Sequence, residues 1–125
     1  MSRVKSRDTT PELAVRRLVF ALGFRYRLHR RDLPGTPDLV FVALKKVIFV
    51  HGCFWHFHHC RHFRFPSTRK AYWTHKLTSN QRRDALHRRR LRRAGWDLLV
   101  IWECQLRRPK WLKTRLLEFL HRRPK

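Results

Sequence analysis

Helical spacing of apolar residues marks the first part of this 125-residue chain. The pattern over residues 7–23 predicts an amphipathic helix. Thr9 or Thr10 can cap its start, and Pro11 suits its first turn. Gly23 ends the pattern. The apolar stripe of this helix consists of Val15, Leu18, Val19 and Leu22.

Three short strands are predicted next. Residues 24–30 alternate apolar and basic side chains, which is typical of a strand with one face on a core. Two prolines and a glycine within residues 33–37 then force a turn. Residues 38–42 and 46–51 are β-branched and nearly continuously apolar, as central strands covered on both faces tend to be.

The second half of the chain alternates helical and strand patterns. Residues 70–94 have helical character, with Ser79 and Asn80 marking a place where the helix is expected to break, and Gly95 stops it. Residues 96–104 predict a buried strand, and 109–123 a closing helix. Its apolar stripe is Trp111, Leu112, Leu116, Phe119 and Leu120. The order predicts one α/β domain over 1–125, with a central mixed β-sheet flanked by helices on both faces.

The charge of the chain narrows the class of partner. Lysine and arginine number 31 against 8 acidic residues, a formal net charge of +23 with a pI near 11.8. Such an excess in one small domain favours a polyanion, with nucleic acid before an anionic membrane surface. No window approaches the roughly 18 apolar residues of a spanning helix, and the start "MSRVKSRDTT" lacks the apolar core of a signal peptide. We therefore expect a soluble intracellular protein.

Residues 50–60, "VHGCFWHFHHC", concentrate metal-binding side chains. Zinc takes four thiolate or imidazole ligands in structural sites, and three cysteines fit that use better than a disulfide framework. The expected set is Cys53, His58, Cys60 and Cys104. His56 and His59 are also within reach, and the alternative is free buried thiols beside solvated histidines.

Asp38 is the first candidate for a catalytic metal ligand. An acid that opens an apolar strand is poorly suited to packing, although it could merely cap the turn. Glu12 is a weaker second candidate, since an acid in a first helical turn is usually explained by the helix dipole. His51 and His56 could move protons near neutral pH, and each is otherwise a solvated histidine.

Aromatic and arginine side chains suggest contacts with a duplex. Phe54 and Trp55 lie in the histidine and cysteine loop, where rigid apolar side chains can unstack a base step. Trp73 lies on a predicted amphipathic helix, where a core position is the ordinary explanation. The basic stretch 82–93 is expected to hold phosphate backbone. Its candidate contacts are Arg82, Arg83, Arg88 and Arg89.

Four segments together resemble the very short patch repair (Vsr) endonucleases, which nick DNA beside a T:G mismatch. They are "LHRRDLPGTPDLVF", "VIFVHGCFWH", "RKAYWTHKLTSNQRRD" and "AGWDLLVIWEC", and the match runs in order from Ser2 to Leu106. The resemblance implies a fold related to type II restriction endonucleases. It also implies a bacterial enzyme near the nucleoid that acts on double-stranded DNA as a monomer.

The resemblance assigns roles to individual residues. It implies that Asp38 binds catalytic Mg²⁺ with the Val50 carbonyl, that His56 is the general base, and that His51 lies at the scissile phosphate. Glu12 would act through metal-bound water. The family's structural Zn²⁺ has three cysteines and one histidine, which matches Cys53, His58, Cys60 and Cys104. Phe54, Trp55 and Trp73 would intercalate, and the nick would leave a 5′-phosphate and a 3′-hydroxyl.

Two features differ from related nucleases. Phe49 and His51 stand where restriction-type nucleases usually carry an acid and a lysine two residues apart, which is the Vsr variant of the site. The N-terminal extension that helps the family grip the minor groove is expected to be short here. Two alternatives remain beside the repair enzyme: a nickase that serves DNA defence or a mobile element, and a zinc-stabilised DNA-binding module without catalysis.

Overall fold

The computed structural model describes residues 9–61 and 63–122. The expectation of a short N-terminal extension falls on residues 1–8, outside the described residues. Helix α1 (Thr10–Ala21) begins where the sequence predicts, because the Thr9 side chain accepts a hydrogen bond from the Glu12 N–H at 3.3 Å. It ends before Gly23, whose φ of +96° turns the chain out of the helix.

The sheet has four strands in the order β1 (Arg27–Leu28), β2 (Leu39–Phe41), β3 (Lys46–His51) and β4 (Asp97–Trp102). The first three strands are antiparallel neighbours, whereas β3 and β4 are parallel. Helix α2 (Lys70–Arg93) is part of the crossover that a parallel pair requires. The predicted mixed sheet is confirmed.

The first strand is shorter than its sequence pattern predicts. Only Arg27 and Leu28 pair with β2, and Leu28 is 41% exposed. Phe24 and Tyr26 do pack against the core, as the alternation indicates. The strand ends at His29 because the φ of that residue is +46°, in the left-handed region.

Each face of the sheet is covered by helices. On one face α1 and α3 (Pro109–His121) bury Val15, Val19, Leu112, Leu116, Phe119 and Leu120 against Leu39, Phe41, Ile48, Leu99 and Ile101. On the other face Leu91 of α2 and Trp96 cover Val40, Val47, Phe49 and Leu98. Alternate residues of one strand thus serve opposite cores, which explains the continuous apolar runs of β2 and β3.

Helix α2 is one unbroken helix of 24 residues, so the break expected at Ser79 and Asn80 is wrong. The Asn80 amide donates a hydrogen bond to the Trp55 carbonyl at 2.9 Å. Its polar group is therefore bonded outside the helix and does not compete for the helical backbone. Leu77 and Leu91 are fully buried and attach both halves of the helix.

Lys46 is the first residue of β3 and lies at that end of the core. Its side chain is buried, and Nζ donates hydrogen bonds to the carbonyls of Phe119, Leu120 and Arg122 at 2.6, 3.1 and 2.6 Å. These carbonyls lie at the end of α3, where a cation is favourable. Within residues 9–61 and 63–122, the helices do not combine the length and apolarity that a bilayer crossing requires.

Candidate active site and metal centre

Asp38 lies directly before β2, at the end of the sheet where β3 also ends. Its Oδ2 accepts a hydrogen bond from the Val50 N–H of β3 at 2.6 Å. Burial raises the pKa of Asp38 to about 7, and the negative charge of Glu12 acts in the same direction, against the Val50 hydrogen bond. The acid therefore sits in a place where a carboxylate needs a cation.

Glu12 and His29 lie beside Asp38. Glu12 is 1% exposed and forms an ion pair with Arg16, four residues along α1. The Nε2 of His29 is 2.6 Å from the Oε2 of Glu12, within hydrogen-bonding distance. One ligand atom each from Glu12, His29 and Asp38 lie within 4.8 Å of one another. This is the spacing that a shared metal ion requires.

A second cluster consists of His51, His56 and Asp84. The two imidazole rings stack in parallel with centroids 3.7 Å apart, and the Nδ1 of His56 is 2.5 Å from the Oδ2 of Asp84. Burial lowers the pKa of His51 to about 3, and the neighbouring His56 adds to that effect. His51 is therefore uncharged at neutral pH, and Asp84 orients the ring of His56.

The donor set at Asp38 fits a catalytic divalent cation. Mg²⁺ is bound through one or two carboxylates with oxygen ligands completing its shell. Asp38 and Glu12 supply two carboxylates in the same group of ligand atoms. Arg16 pairs with Glu12, but the pKa of the buried acid Asp38 is still raised. A cation bound beside Asp38 would therefore stabilise its carboxylate form.

Two clefts meet at Asp38, Val50 and His56, which line both. The arginine cleft, of about 540 Å³, has charged and titratable walls of His29, Arg31, Asp38, His51, His56, Arg83, Asp84, His87 and Arg88. The tryptophan cleft, of about 630 Å³, is lined by Glu12, Asp38, Val50, Trp55, His56, Lys76, Asn80 and Glu103 among others. The arginine cleft is suited to an anionic backbone, and the tryptophan cleft to a mixture of apolar and charged groups.

Gly35 brings the loop before β2 against α2. A Cβ on this residue would lie 3.0 Å from the Cβ of His87, and its φ of +78° is one that glycine adopts readily. The close approach forms one wall of the arginine cleft. The turn predicted from two prolines and a glycine is therefore part of the site.

The four arginines that are predicted to contact the phosphate backbone of DNA divide into two pairs. Arg83 and Arg88 line the arginine cleft beside Asp84. Arg82 and Arg89 are exposed on α2, and their contact with a duplex stays a prediction.

The predicted zinc ligands come together around the loop that follows β3. One ligand atom each from Cys53, His58, Cys60 and Cys104 lie within 4.8 Å of one another. The Sγ of Cys104 is 3.7 Å from the Nδ1 of His58, which also stacks on Trp102 with ring centroids 4.1 Å apart. Three thiols and one imidazole are a closed set for Zn²⁺.

Sheet topology explains why ligands 51 residues apart in sequence meet. Cys53 follows β3, and Cys104 lies in the short 3₁₀ helix Glu103–Arg107 that follows β4. Because β3 and β4 are parallel, with His51 opposite Trp102, their carboxyl ends meet at one edge of the sheet. Burial raises the pKa of the Cys53 thiol to about 12 and also raises that of Cys104, so metal binding must displace protons.

The three residues predicted to intercalate form one aromatic cluster. The ring of Phe54 is 5.1 Å from that of Trp55 and 5.3 Å from that of Trp73, measured between centroids. Trp55 and Trp73 are 5.9 Å apart. All three are half-buried, so the cluster keeps an exposed surface next to the tryptophan cleft.

Two residues of the candidate site were not predicted from the sequence. Asp84 is the one carboxylate in the strongly basic helix α2, and that isolation could have marked it. His29 lies within the alternating strand pattern of residues 24–30 and looks there like one more basic residue. Only the pairing of β1 with β2 brings it beside Asp38.

The chain is similar to known DNA endonucleases. A family model described as DNA mismatch endonuclease Vsr matches residues 1–62. The type II nicking enzyme V.XorIIP of Xanthomonas oryzae pv. oryzae is 47% identical over 120 residues, which are 96% of this chain and 88% of that protein. The DNA mismatch endonuclease Vsr of Escherichia coli K12 is 42% identical over 107 residues, covering 86% of this chain and 69% of that protein.

A solved structure has the same fold. The catalytic domain of the homing endonuclease I-Bth0305I matches with a TM-score of 0.58 and covers 90% of this chain and 94% of that domain. The sequences are 19% identical, so this likeness concerns the fold. The mixed sheet with helices on both faces is thus a fold that this chain shares with that domain.

Proposed function

Because this chain belongs to the Vsr family of DNA mismatch endonucleases, we propose that it nicks one strand of duplex DNA beside a T:G mismatch, with Mg²⁺ as cofactor. The observation that carries the proposal is the meeting of Asp38 and His56 where the two clefts join. A DNA-binding module has no use for a buried acid and an oriented imidazole at one place. The enzyme would act as a monomer at the nucleoid.

The proposed reaction is hydrolysis of one phosphodiester bond, which leaves a 5′-phosphate and a 3′-hydroxyl. Mg²⁺ held by Asp38 and the Val50 carbonyl, with Glu12 nearby, would supply positive charge for the phosphate oxygens. The remaining steps belong to side chains. Arg83 and Arg88 would hold the backbone in the arginine cleft, and the uncharged His51 would donate a hydrogen bond to the scissile phosphate.

His56 is the proposed general base. Asp84 accepts the hydrogen bond from Nδ1 of His56, which fixes the tautomer and leaves Nε2 to take a proton from water. The resulting imidazolium would be stabilised by the Asp84 carboxylate. The stacked ring of His51 limits the rotation of His56.

Replacing Asp84 by asparagine is expected to lower the nicking rate about 10²-fold, the lower end of what general base catalysis contributes. The amide keeps the size of the side chain but loses the charge that stabilises imidazolium. Single-turnover nicking of a T:G duplex measures the rate, and Glu118→Gln, an acid-to-amide change at an exposed position of α3, serves as control. A rate within twofold of the parent protein would remove Asp84 from the mechanism.

Mismatch recognition is proposed to use the aromatic cluster of Phe54, Trp55 and Trp73. Opening a duplex costs a few kcal/mol, and the cost is least where bases are mispaired. The proposed zinc site next to Phe54 would hold this aromatic cluster in a fixed position.

The decisive experiment compares strand-specific nicking of T:G, T:A and C:G duplexes that differ only at that one base pair, with Mg²⁺ present. We expect nicking of the T:G duplex alone, and Trp55→Ala should lower that preference more than Trp55→Phe. Equal nicking of all three duplexes would move the target to another DNA feature, as in a defence nickase. Tight binding without nicking would leave only a DNA-binding module.

A further inference from the structure

His29 is placed beside Asp38 by the sheet itself. In the β1–β2 pair, Leu28 lies opposite Leu39, and the next N–H, that of His29, donates to the Asp38 carbonyl at 3.4 Å. Residues opposite each other on antiparallel strands have Cβ atoms about 4.5–5.5 Å apart. The position of the imidazole therefore follows from the strand register.

The ring of His29 reaches the centre of the proposed cation site. Its Nε2 is 2.6 Å from Glu12 Oε2, and its ligand atom belongs to the group with Glu12 and Asp38 whose members lie within 4.8 Å of one another. The His29 side chain is only 12% exposed and lines the arginine cleft together with Asp38. A cation bound by the two carboxylates would lie next to this nitrogen.

Donor chemistry then decides which ion the site prefers. Mg²⁺ and Ca²⁺ are held by oxygen ligands, whereas imidazole nitrogen suits transition metals. Mn²⁺ is bound by glutamate and histidine together in di-manganese carboxylate proteins. We propose that His29 is a third protein ligand beside Glu12 and Asp38, and that this mixed site binds Mn²⁺ more tightly than Mg²⁺. The inference rests on the proposed metal-dependent function and specifies the ligands and ion class of the same site.

A simpler role for His29 is to orient Glu12 by a hydrogen bond. Glutamine separates the two roles, because its amide N–H still donates to Glu12 but it carries no imidazole. A positioning role therefore survives His29→Gln, whereas ligation through imidazole nitrogen is lost. The matched control is His75→Gln, since His75 is exposed on α2.

The test uses the full chain with its zinc in place and Mn²⁺ as probe. Titration followed by the electron paramagnetic resonance signal of free Mn²⁺ gives the affinity, and competition with Mg²⁺ gives the preference. We expect binding at least about tenfold tighter for Mn²⁺ than for Mg²⁺, and His29→Gln should weaken Mn²⁺ binding about tenfold while leaving Mg²⁺ nearly unchanged. His75→Gln should match the parent protein.

A spectroscopic measurement on the parent protein makes the result independent of variant folding. With ¹⁵N-labelled histidine, electron spin echo spectra of bound Mn²⁺ should show a directly bonded nitrogen, and His29→Gln should remove it. No nitrogen coupling in the parent protein would overturn the proposal. A coupling that persists in His29→Gln would overturn it as well, because the nitrogen would then belong to another histidine, such as those near Asp84.

The failure of this inference is distinguishable from failure of the proposed function. Asp38→Asn should abolish both Mn²⁺ binding and nicking. If it does so while His29→Gln changes neither Mn²⁺ affinity nor the spectra, only the role of His29 is wrong. If Asp38→Asn leaves Mn²⁺ binding and nicking intact, the metal-dependent function at this site is itself wrong.

Discussion

Replacing Asp38 by asparagine is expected to lower the rate of T:G nicking about 10⁴-fold, because metal stabilisation of the reacting phosphate is worth several kcal/mol and each 1.36 kcal/mol is a factor of ten. Asparagine can still accept the hydrogen bond from the Val50 N–H, so the loop before β2 keeps its support. The lost element is the negative charge that holds the cation. Single-turnover nicking at saturating Mg²⁺ measures the effect.

The stability of the same variant supplies an independent check. The pKa of Asp38 is raised from its ordinary value of 3.8 to about 7, so the folded chain binds a proton more tightly than the unfolded chain. Its contribution to the free energy of unfolding is therefore present below pH 4 and lost as the pH rises through about 7. Without Mg²⁺, Asp38→Asn should be more stable than the parent protein at pH 8 and nearly equal to it at pH 4.

The control for Asp38 is another acid-to-amide change at the surface. Asp32, six residues before Asp38 in the chain, is exposed and pairs with Arg30, so Asp32→Asn should nick at the parent rate. Undiminished nicking by Asp38→Asn would contradict the assignment of this carboxylate. A slower but less stable variant at pH 8 would instead indicate general structural damage.

Local patterns predicted the helices and central strands well. Thr9, Pro11 and Gly23 mark the ends of α1 because capping and glycine conformations depend on a few neighbouring residues. The continuous apolar runs of β2 and β3 follow from two cores on opposite faces, which the composition of each strand already records. The break expected in α2 failed because the partner of Asn80 is the distant Trp55 carbonyl.

The candidate active site shows which residues the sequence alone does not identify. Asp38, His51 and His56 were identifiable because an acid or imidazole beside apolar strands is unusual for packing. Asp84 contacts His56, which lies 28 residues earlier in the chain, and no local pattern records that contact. His29 reaches Asp38 only through strand pairing. Residues whose chemistry depends on a tertiary partner are thus the ones that the structure adds.

Replacing Cys104 by serine is expected to abolish zinc binding at the proposed site and to unfold the loop that carries the aromatic cluster. Structural zinc contributes roughly 10–16 kcal/mol of apparent binding free energy in small peptides, against about 5–15 kcal/mol of total stability for a domain. Cys104 is the one ligand outside residues 53–60, so its loss detaches the loop after β3 from the end of β4. Elemental analysis should find zinc falling from about one per chain to near zero, with a lower melting temperature.

The histidine in the zinc set has a matched neighbour that sharpens this prediction. His58 belongs to the ligand group, whereas the adjacent His59 is exposed and touches only the rings of Phe57 and Phe63 among the described aromatic contacts. His58→Asn should therefore lose zinc as Cys104→Ser does, and His59→Asn should keep it. Because a loosened loop cannot hold a rigid wedge, the zinc-deficient variants should also lose mismatch preference before they lose all DNA binding. Full zinc content in Cys104→Ser would mean that the metal centre lies elsewhere.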